Sequence, residues 1–257
     1  MRAARLAFLI LAQIVCGFPT TARAQDDGPT TQIWAKMTLG FPTQNPKWFN
    51  ELDFKPKVQV SGSERWAGTT IDARAFYRPQ HWLDLIGDVS VDYTAQSNDL
   101  QIFSIVPRIG AAFHILSNIR ETGFVGEQVK RLGLSTLLRL EYRNSWYSGS
   151  ADDETYESSW RFRLRGAMRL GLNRADRSMP HTWYLFADAE AFVNLGEPIE
   201  ETFNSRWGVR IGPGYRLNRG WRFELLYVFD QTRNTLEDNF TRSNNAIDLR
   251  AGYNFNQ

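Results

Sequence analysis

Arginine recurs at every second position in two runs, Arg139-Leu140-Glu141-Tyr142-Arg143 and Arg161-Phe162-Arg163-Leu164-Arg165. A guanidinium presents its donors in a planar fork that matches the paired oxygens of a carboxylate or a phosphate. At a spacing of two in an extended chain, these side chains all fall on one face. Arg210 and Arg216 continue the pattern, and Asp188, Glu190, Glu224 and Asp230 supply acids of the same facing. Facing arginines repel unless carboxylates stand between them. Two arrangements are open: a salt-bridge network that fills and rigidifies an interior, or a surplus of arginine along a wet channel. The second would attract small anionic solutes such as acidic sugars, phosphate esters or fatty-acid carboxylates.

Nucleophilic chemistry has weaker support. A serine hydrolase needs a histidine within reach of the serine and a third group to orient the ring. Of the three histidines, His81 and His181 fall in turns, and His114 stands three residues before Ser117, a spacing that sends the two side chains to opposite faces of a strand. The His-x-Ser-Asn pattern of outer-membrane phospholipases is absent, so no catalytic residue and no enzyme activity are expected. No histidine pair or carboxylate cluster has ligand spacing, and neither a metal nor a cofactor is expected. The acidic run Asp152-Asp153-Glu154 reads as a solvated loop that could touch calcium or bridge lipopolysaccharide through divalent ions. The arginines alternate within strands instead of clustering on an accessible surface, so nucleic acid is not an expected partner.

The elements that would hold these residues are strands. In Leu52-Asp53-Phe54-Lys55-Pro56-Lys57-Val58-Gln59-Val60 every second residue is apolar or proline and the others are charged or polar. Leu83 to Tyr93, Phe103 to Phe113, Trp207 to Leu217, Trp221 to Phe229 and Ile247 to Phe255 repeat the alternation. Segments of about 9 to 13 residues match tilted strands that cross a membrane. Aromatics make up 14% of a chain whose mean hydropathy is negative, and beyond residue 24 no apolar run is long enough for a membrane helix. A greasy exterior around a wet interior accounts for both facts. Trp82, Trp183 and Trp221 follow short turns and Trp66, Trp160 and Trp207 open strands after loops, which suits two aromatic girdles. Short connections near residues 78–81 and 218–220 suit periplasmic turns, whereas 148–156, 195–205 and 234–244 suit extracellular loops. Within Gly212-Pro213-Gly214, glycine is expected to make room for a bulky neighbour or a bend.

Eleven segments alternate clearly. Single-chain bacterial barrels have an even number of strands, so twelve are expected, with ten as the alternative. A missing strand would lie within 117–130, or the first segment, 32–39, would not be a full crossing. The fold class is therefore all-β, a membrane-spanning antiparallel up-and-down barrel.

Residues 1–24 have the layout of a cleaved export signal: Arg2 and Arg5, an apolar run from Leu6 to Val15, and Ala22-Arg23-Ala24 as the cleavage site. The domain organisation is then a signal peptide, 1–24, and a barrel, 25–257. Cys16, the single cysteine, leaves with the signal, so no disulfide staples the barrel. Losing Arg2, Arg5 and Arg23 reduces 30 basic residues to 27 against 28 acids, a net charge of −1.

The two arginine runs, together with Glu190-Ala191-Phe192 and Gly212-Pro213-Gly214-Tyr215-Arg216-Leu217, resemble the bacterial outer-membrane family called domain of unknown function 2490. The resemblance extends from about Trp34 to Phe255. It implies an exported outer-membrane barrel and carries no activity. The alternating end Leu249, Ala251, Tyr253, Phe255 is the kind of strand the barrel assembly machinery recognises, although Asn256 and Gln257 follow. Expected partners are outer-membrane lipid and lipopolysaccharide, the assembly machinery during insertion, and a small anionic solute.

Overall fold

The computed structural model describes residues 30–62, 65–97, 99–116, 131–149, 155–195, 204–234 and 240–255. The expected signal segment, the 117–130 interval and the Asp152-Asp153-Glu154 run lie outside them. The described residues form eleven strands: β1 (Thr30–Pro42), β2 (Trp48–Gln59), β3 (Trp66–Gln80), β4 (Leu83–Gln96), β5 (Gln101–His114), β6 (Leu132–Ser148), β7 (Thr155–Gly171), β8 (Thr182–Leu195), β9 (Asn204–Arg216), β10 (Trp221–Asn234) and β11 (Phe240–Asn254). Each strand pairs with its sequence neighbours, and the sheet closes into a barrel between β1 and β11.

That closing pair is parallel. It runs from Thr30↔Asn244 to Gly40↔Asn254, whereas every other pair is antiparallel. Parity explains why: an odd number of up-and-down strands leaves the first and last pointing the same way. The strands among the described residues number eleven, the count of clear alternating segments, and not the even number inferred from termini sharing one compartment. The segment 32–39 is a full strand. A parallel ladder still pairs every backbone group, only slightly less favourably per residue, so closure without an edge survives.

Strands β1 and β2, β3 and β4, β5 and β6, β7 and β8, and β9 and β10 follow one another at the end at which β11 finishes, and the remaining consecutive pairs do so at the end at which β1 begins. The short turns read near 78–81 and 218–220 fall at the first of these ends, together with the widest spacing between consecutive strands, from His114 to Leu132.

Alternation sorts the side chains by face. Outward residues are apolar and exposed: Ile109 is 66% exposed, Val193 57%, Leu225 50% and Ile211 46%. Inward residues are mostly charged or polar and buried, among them Asp53, Asp72, Asp88, Arg139, Glu141, Asp188 and Asp248. This is the inverse of a soluble protein's partition.

Aromatic side chains ring both ends of the apolar belt. Phe41 stacks on Phe255 with centroids 5.0 Å apart, Trp221 packs on Tyr253 at 4.8 Å, Trp183 on Tyr215 at 4.7 Å and Trp48 on Tyr77 at 4.9 Å. At the other end Trp160 packs on Tyr142 at 4.7 Å, Trp146 on Phe103 at 5.7 Å and Trp207 on Phe229 at 5.3 Å. Trp66 departs from its expected girdle place. An even-numbered residue of β3 points inward, and Trp66 donates its indole N–H to Gln59 Oε1 at 2.7 Å.

Inside, Phe49, Phe76, Ile86 and Ala112 form one apolar cluster and Tyr184, Phe186 and Leu226 another. Gly214 makes room for the second. A Cβ there would run into the ring of Tyr184, which is 1% exposed and donates its hydroxyl to Glu224 at 3.0 Å.

Two outcomes follow from this architecture. Gly214→Ala is expected to cost about 1–3 kcal/mol by overpacking against an anchored ring, read as a lower urea midpoint with an unchanged slope. A Met37→Cys, Ala251→Cys pair, facing each other across the parallel closure, is expected to cross-link on mild oxidation. A Met37→Cys, Ile247→Cys pair, four residues out of register, is expected to stay reduced. The reverse pattern would overturn the closure.

Candidate functional site

The lumen holds one continuous belt of alternating charge that runs from β1 to β9. Lys36 meets Asp53 at 2.9 Å, Asp53 meets Arg74, and Arg74 reaches Asp72 at 3.3 Å. Arg108 links Asp72, at 2.7 Å, to Asp88, and Arg139 links Asp88, at 3.2 Å, to Glu141, at 2.7 Å. Arg161 Nη2 adds a 2.5 Å contact to the other Glu141 oxygen. Arg163 lies 3.9 Å from Glu141 and pairs with Glu190; Arg210 bridges Glu190 and Asp188 at 2.8 and 2.7 Å, and Asp188 also holds Arg165. A second, shorter chain joins Arg169 to Glu224 at 2.7 Å and Arg250 to Asp248 at 2.6 Å and Glu224 at 3.5 Å.

Register explains the order. Arg139 lies opposite Arg163, and Glu141 opposite Arg161; two guanidinium groups so placed would repel, and the carboxylates of Glu141 and Asp88 separate them. Aromatic faces cover part of the remaining charge. Arg161 and Arg163 lie 4.4 and 5.1 Å from the ring centre of Phe192, and Arg169 lies 5.1 Å from that of Phe186.

The lumen places all twelve residues singled out in the sequence on its inner face, but it does not treat them alike. Nine of them, Arg139, Glu141, Arg161, Arg163, Arg165, Asp188, Glu190, Arg210 and Glu224, carry the ion pairs above. Arg216 instead donates to backbone carbonyls, that of Arg177 at 3.1 Å and that of Arg219 at 3.2 Å. Asp230 is buried, and its Oδ1 has no hydrogen-bond partner among the described residues. Arg143 lines the larger cavity.

Six members of the belt are residues that the arginine runs did not point to. Lys36, Asp53, Asp72, Arg74, Asp88 and Arg108 belong to β1–β5, where alternation already marked a wet face but single charges among Thr and Ser dilute the signal. Another cluster was not legible at all: Arg78 donates to both oxygens of Asp84, at 2.5 and 2.8 Å, and His114 Nε2 lies 2.8 Å from the same carboxylate. These three come together only through the β3–β4–β5 register.

Two cavities remain between the side chains. The larger, about 340 Å³, lies toward the end at which β1 begins and is lined by twelve Lys/Arg against seven Asp/Glu. Arg139, Arg143, Arg161 and Arg163 share its wall with hydroxyl-bearing residues of β3–β5 such as Thr70, Ser90 and Ser104. Lys57 also lines it, stands 4.3 Å from the ring centre of Trp34, and makes no ion pair among the described residues. The smaller cavity, about 110 Å³, lies toward the end at which β11 finishes. Lys36, Arg74, Leu137, Arg165 and Arg250 line both and form the septum between them. No group of three or more His, Cys, Asp or Glu among the described residues is arranged to hold a metal ion.

Among solved structures, the translocator domain of the autotransporter NalP from Neisseria meningitidis is similar at 11% identity and a TM-score of 0.47, over 98% of this chain and 95% of that one. No curated protein matches the chain at a significant level. A family model described as Protein of unknown function (DUF2490) matches residues 31–241, most of the barrel, and the chain belongs to that family.

Proposed function

We propose that this protein is a barrel of the Gram-negative outer membrane whose lumen binds a small hydroxylated organic anion, such as an acidic sugar, without transforming it. The larger cavity carries this reading: within a charge-paired lumen its lining keeps an excess of cations and includes hydroxyl-bearing residues that suit a polyol. The exposed apolar belt and its aromatic rings support a lipid surround. In that setting the chain leaves its export signal at the inner membrane, is inserted by the assembly machinery and meets outer-membrane lipid and lipopolysaccharide.

The septum argues for binding over free passage. Four cations and Leu137 fill the level between the cavities, and all four cations are tied to carboxylates: Lys36 and Arg74 to Asp53, Arg165 to Asp188 and Arg250 to Asp248. A shift of these side chains would join the cavities, so a gated anion channel is the second reading, and the paired belt opposes it. In planar bilayers the protein is expected to show no steady conductance. Steady anion-selective current that Arg163→Glu weakens would instead establish the channel.

Glucuronate titrated into detergent-solubilised protein is expected to bind and glucose is not. Lys57→Gln, which breaks no ion pair, is expected to weaken glucuronate about tenfold, the loss of one charge-assisted hydrogen bond. Equal affinity for glucose, or none for glucuronate, refutes the binding role. For the location, brominated lipid is expected to quench most tryptophan emission in reconstituted vesicles. A mature chain that stays soluble without detergent would remove the membrane reading entirely.

A further inference from the structure

The smaller cavity has a chemistry of its own. Lys36, Arg74, Arg165, Arg169, Arg222 and Arg250 line it against only Glu51 and Glu224. Within the wall Arg74 pairs with Glu51 at 3.2 Å, and Glu224 is shared by Arg169 and Arg250 at 2.7 and 3.5 Å; the carboxylates of Asp53, Asp188 and Asp248, which hold Lys36, Arg165 and Arg250, do not line the cavity, so six cations meet only two acids in its lining. The interior is therefore positive. About 110 Å³ admits a few waters or a five-atom ion, and no sugar.

His114 gives this wall a preference that charge alone would not. Its side chain is 2% exposed, and the Asp84 carboxylate 2.8 Å from Nε2 fixes the ring proton on that nitrogen. Arg78, doubly bonded to Asp84 and 3.3 Å from Nε2, holds the carboxylate in place. Nδ1, the ring's other nitrogen, is buried with no hydrogen-bond partner among the described residues, and with the proton on Nε2 it presents an acceptor. Ser135 stands directly opposite and lines the same cavity. Because the Ile115 N–H donates to the Leu134 carbonyl at 2.8 Å, the His114–Ser135 pair is of the non-hydrogen-bonded kind, in which side chains lie closest.

We infer that the smaller cavity is a binding site for inorganic hydrogen phosphate. The guanidinium groups take its charged oxygens, and the His114–Ser135 pair takes its remaining P–OH proton. Sulfate has the same shape but no proton, so its oxygens would leave the Nδ1 lone pair facing another acceptor. This site goes beyond the reading of the larger cavity and does not depend on it.

The test is calorimetric titration of the detergent-solubilised protein in phosphate-free buffer with phosphate, sulfate and glycerol 3-phosphate. Phosphate is expected to bind roughly tenfold or more tightly than sulfate, the effect of one buried polar group left unmatched. Glycerol 3-phosphate is expected to bind more weakly than phosphate for want of room. Ser135→Ala is expected to keep phosphate binding and narrow its margin over sulfate; His114→Phe is expected to abolish the margin, and the wild-type comparison stands if that variant does not fold. Equal phosphate and sulfate affinities would mean charge attraction only, equal phosphate and glycerol 3-phosphate affinities an ester site, and no phosphate binding an empty pocket; each overturns the assignment. Phosphate binding without glucuronate binding would retire the larger cavity's role and leave this one standing.

Discussion

Every cation in this lumen has been taken out of bulk water, and the alternation of Lys or Arg with Asp or Glu is what makes that tolerable. An isolated buried charge costs several kcal/mol even after relaxation, while a well-formed ion pair roughly breaks even. The belt from Lys36 to Arg165 satisfies that condition by sharing: Asp53, Asp72, Asp88, Glu141, Glu190 and Asp188 each touch two or more cations. Such a network contributes little net stability as a whole and a great deal of uniqueness, because removing any one member strands its neighbours. It also sets the register, since a slip of one residue would turn every charge toward the apolar side.

The same constraint decides what the outer face can be. With the polar side chains committed inward, the outward positions have only apolar and aromatic residues to offer, and a cylinder closed by β1 and β11 presents no edge for another chain to pair with. A soluble sandwich buries its apolar faces against each other and wets the charged ones. Here the charged faces meet each other. The exterior therefore needs a hydrocarbon solvent, and the two aromatic rings mark where that solvent gives way to water.

How far the sequence could be read depended on which quantity each feature needs. Period two is local, so strand existence and facing were legible from runs such as Leu52 to Val60 and Leu138 to Tyr142. Parity was an inference from other barrels about where termini lie, and the parallel pairing of Thr30–Gly40 with Asn244–Asn254 removes its premise. Trp66 was misplaced because a tryptophan beside a loop suits a girdle, whereas its even-numbered place on β3 turns it inward. Arg139, Glu141 and Arg163 could be grouped from one hairpin, but Arg108 with Asp72, or His114 with Asp84 and Arg78, needs the register of three strands at once. The cavities were not legible at all, for a void is a property of how side chains fail to fill a shape.

That failure to fill has a cause. Inward positions alternate long side chains with short ones: beside the arginines of β6 and β7 the wall of the larger cavity is made by Thr70, Ser90 and Ser104, residues too small to fill it. Charged tips cannot collapse onto one another as apolar side chains would, because most are held by partners in fixed directions. The space left over is therefore polar, cationic and held open by the network that surrounds it. A hydrophobic lumen of the same composition by volume would have closed; this one keeps two chambers whose walls are already arranged for negative charge.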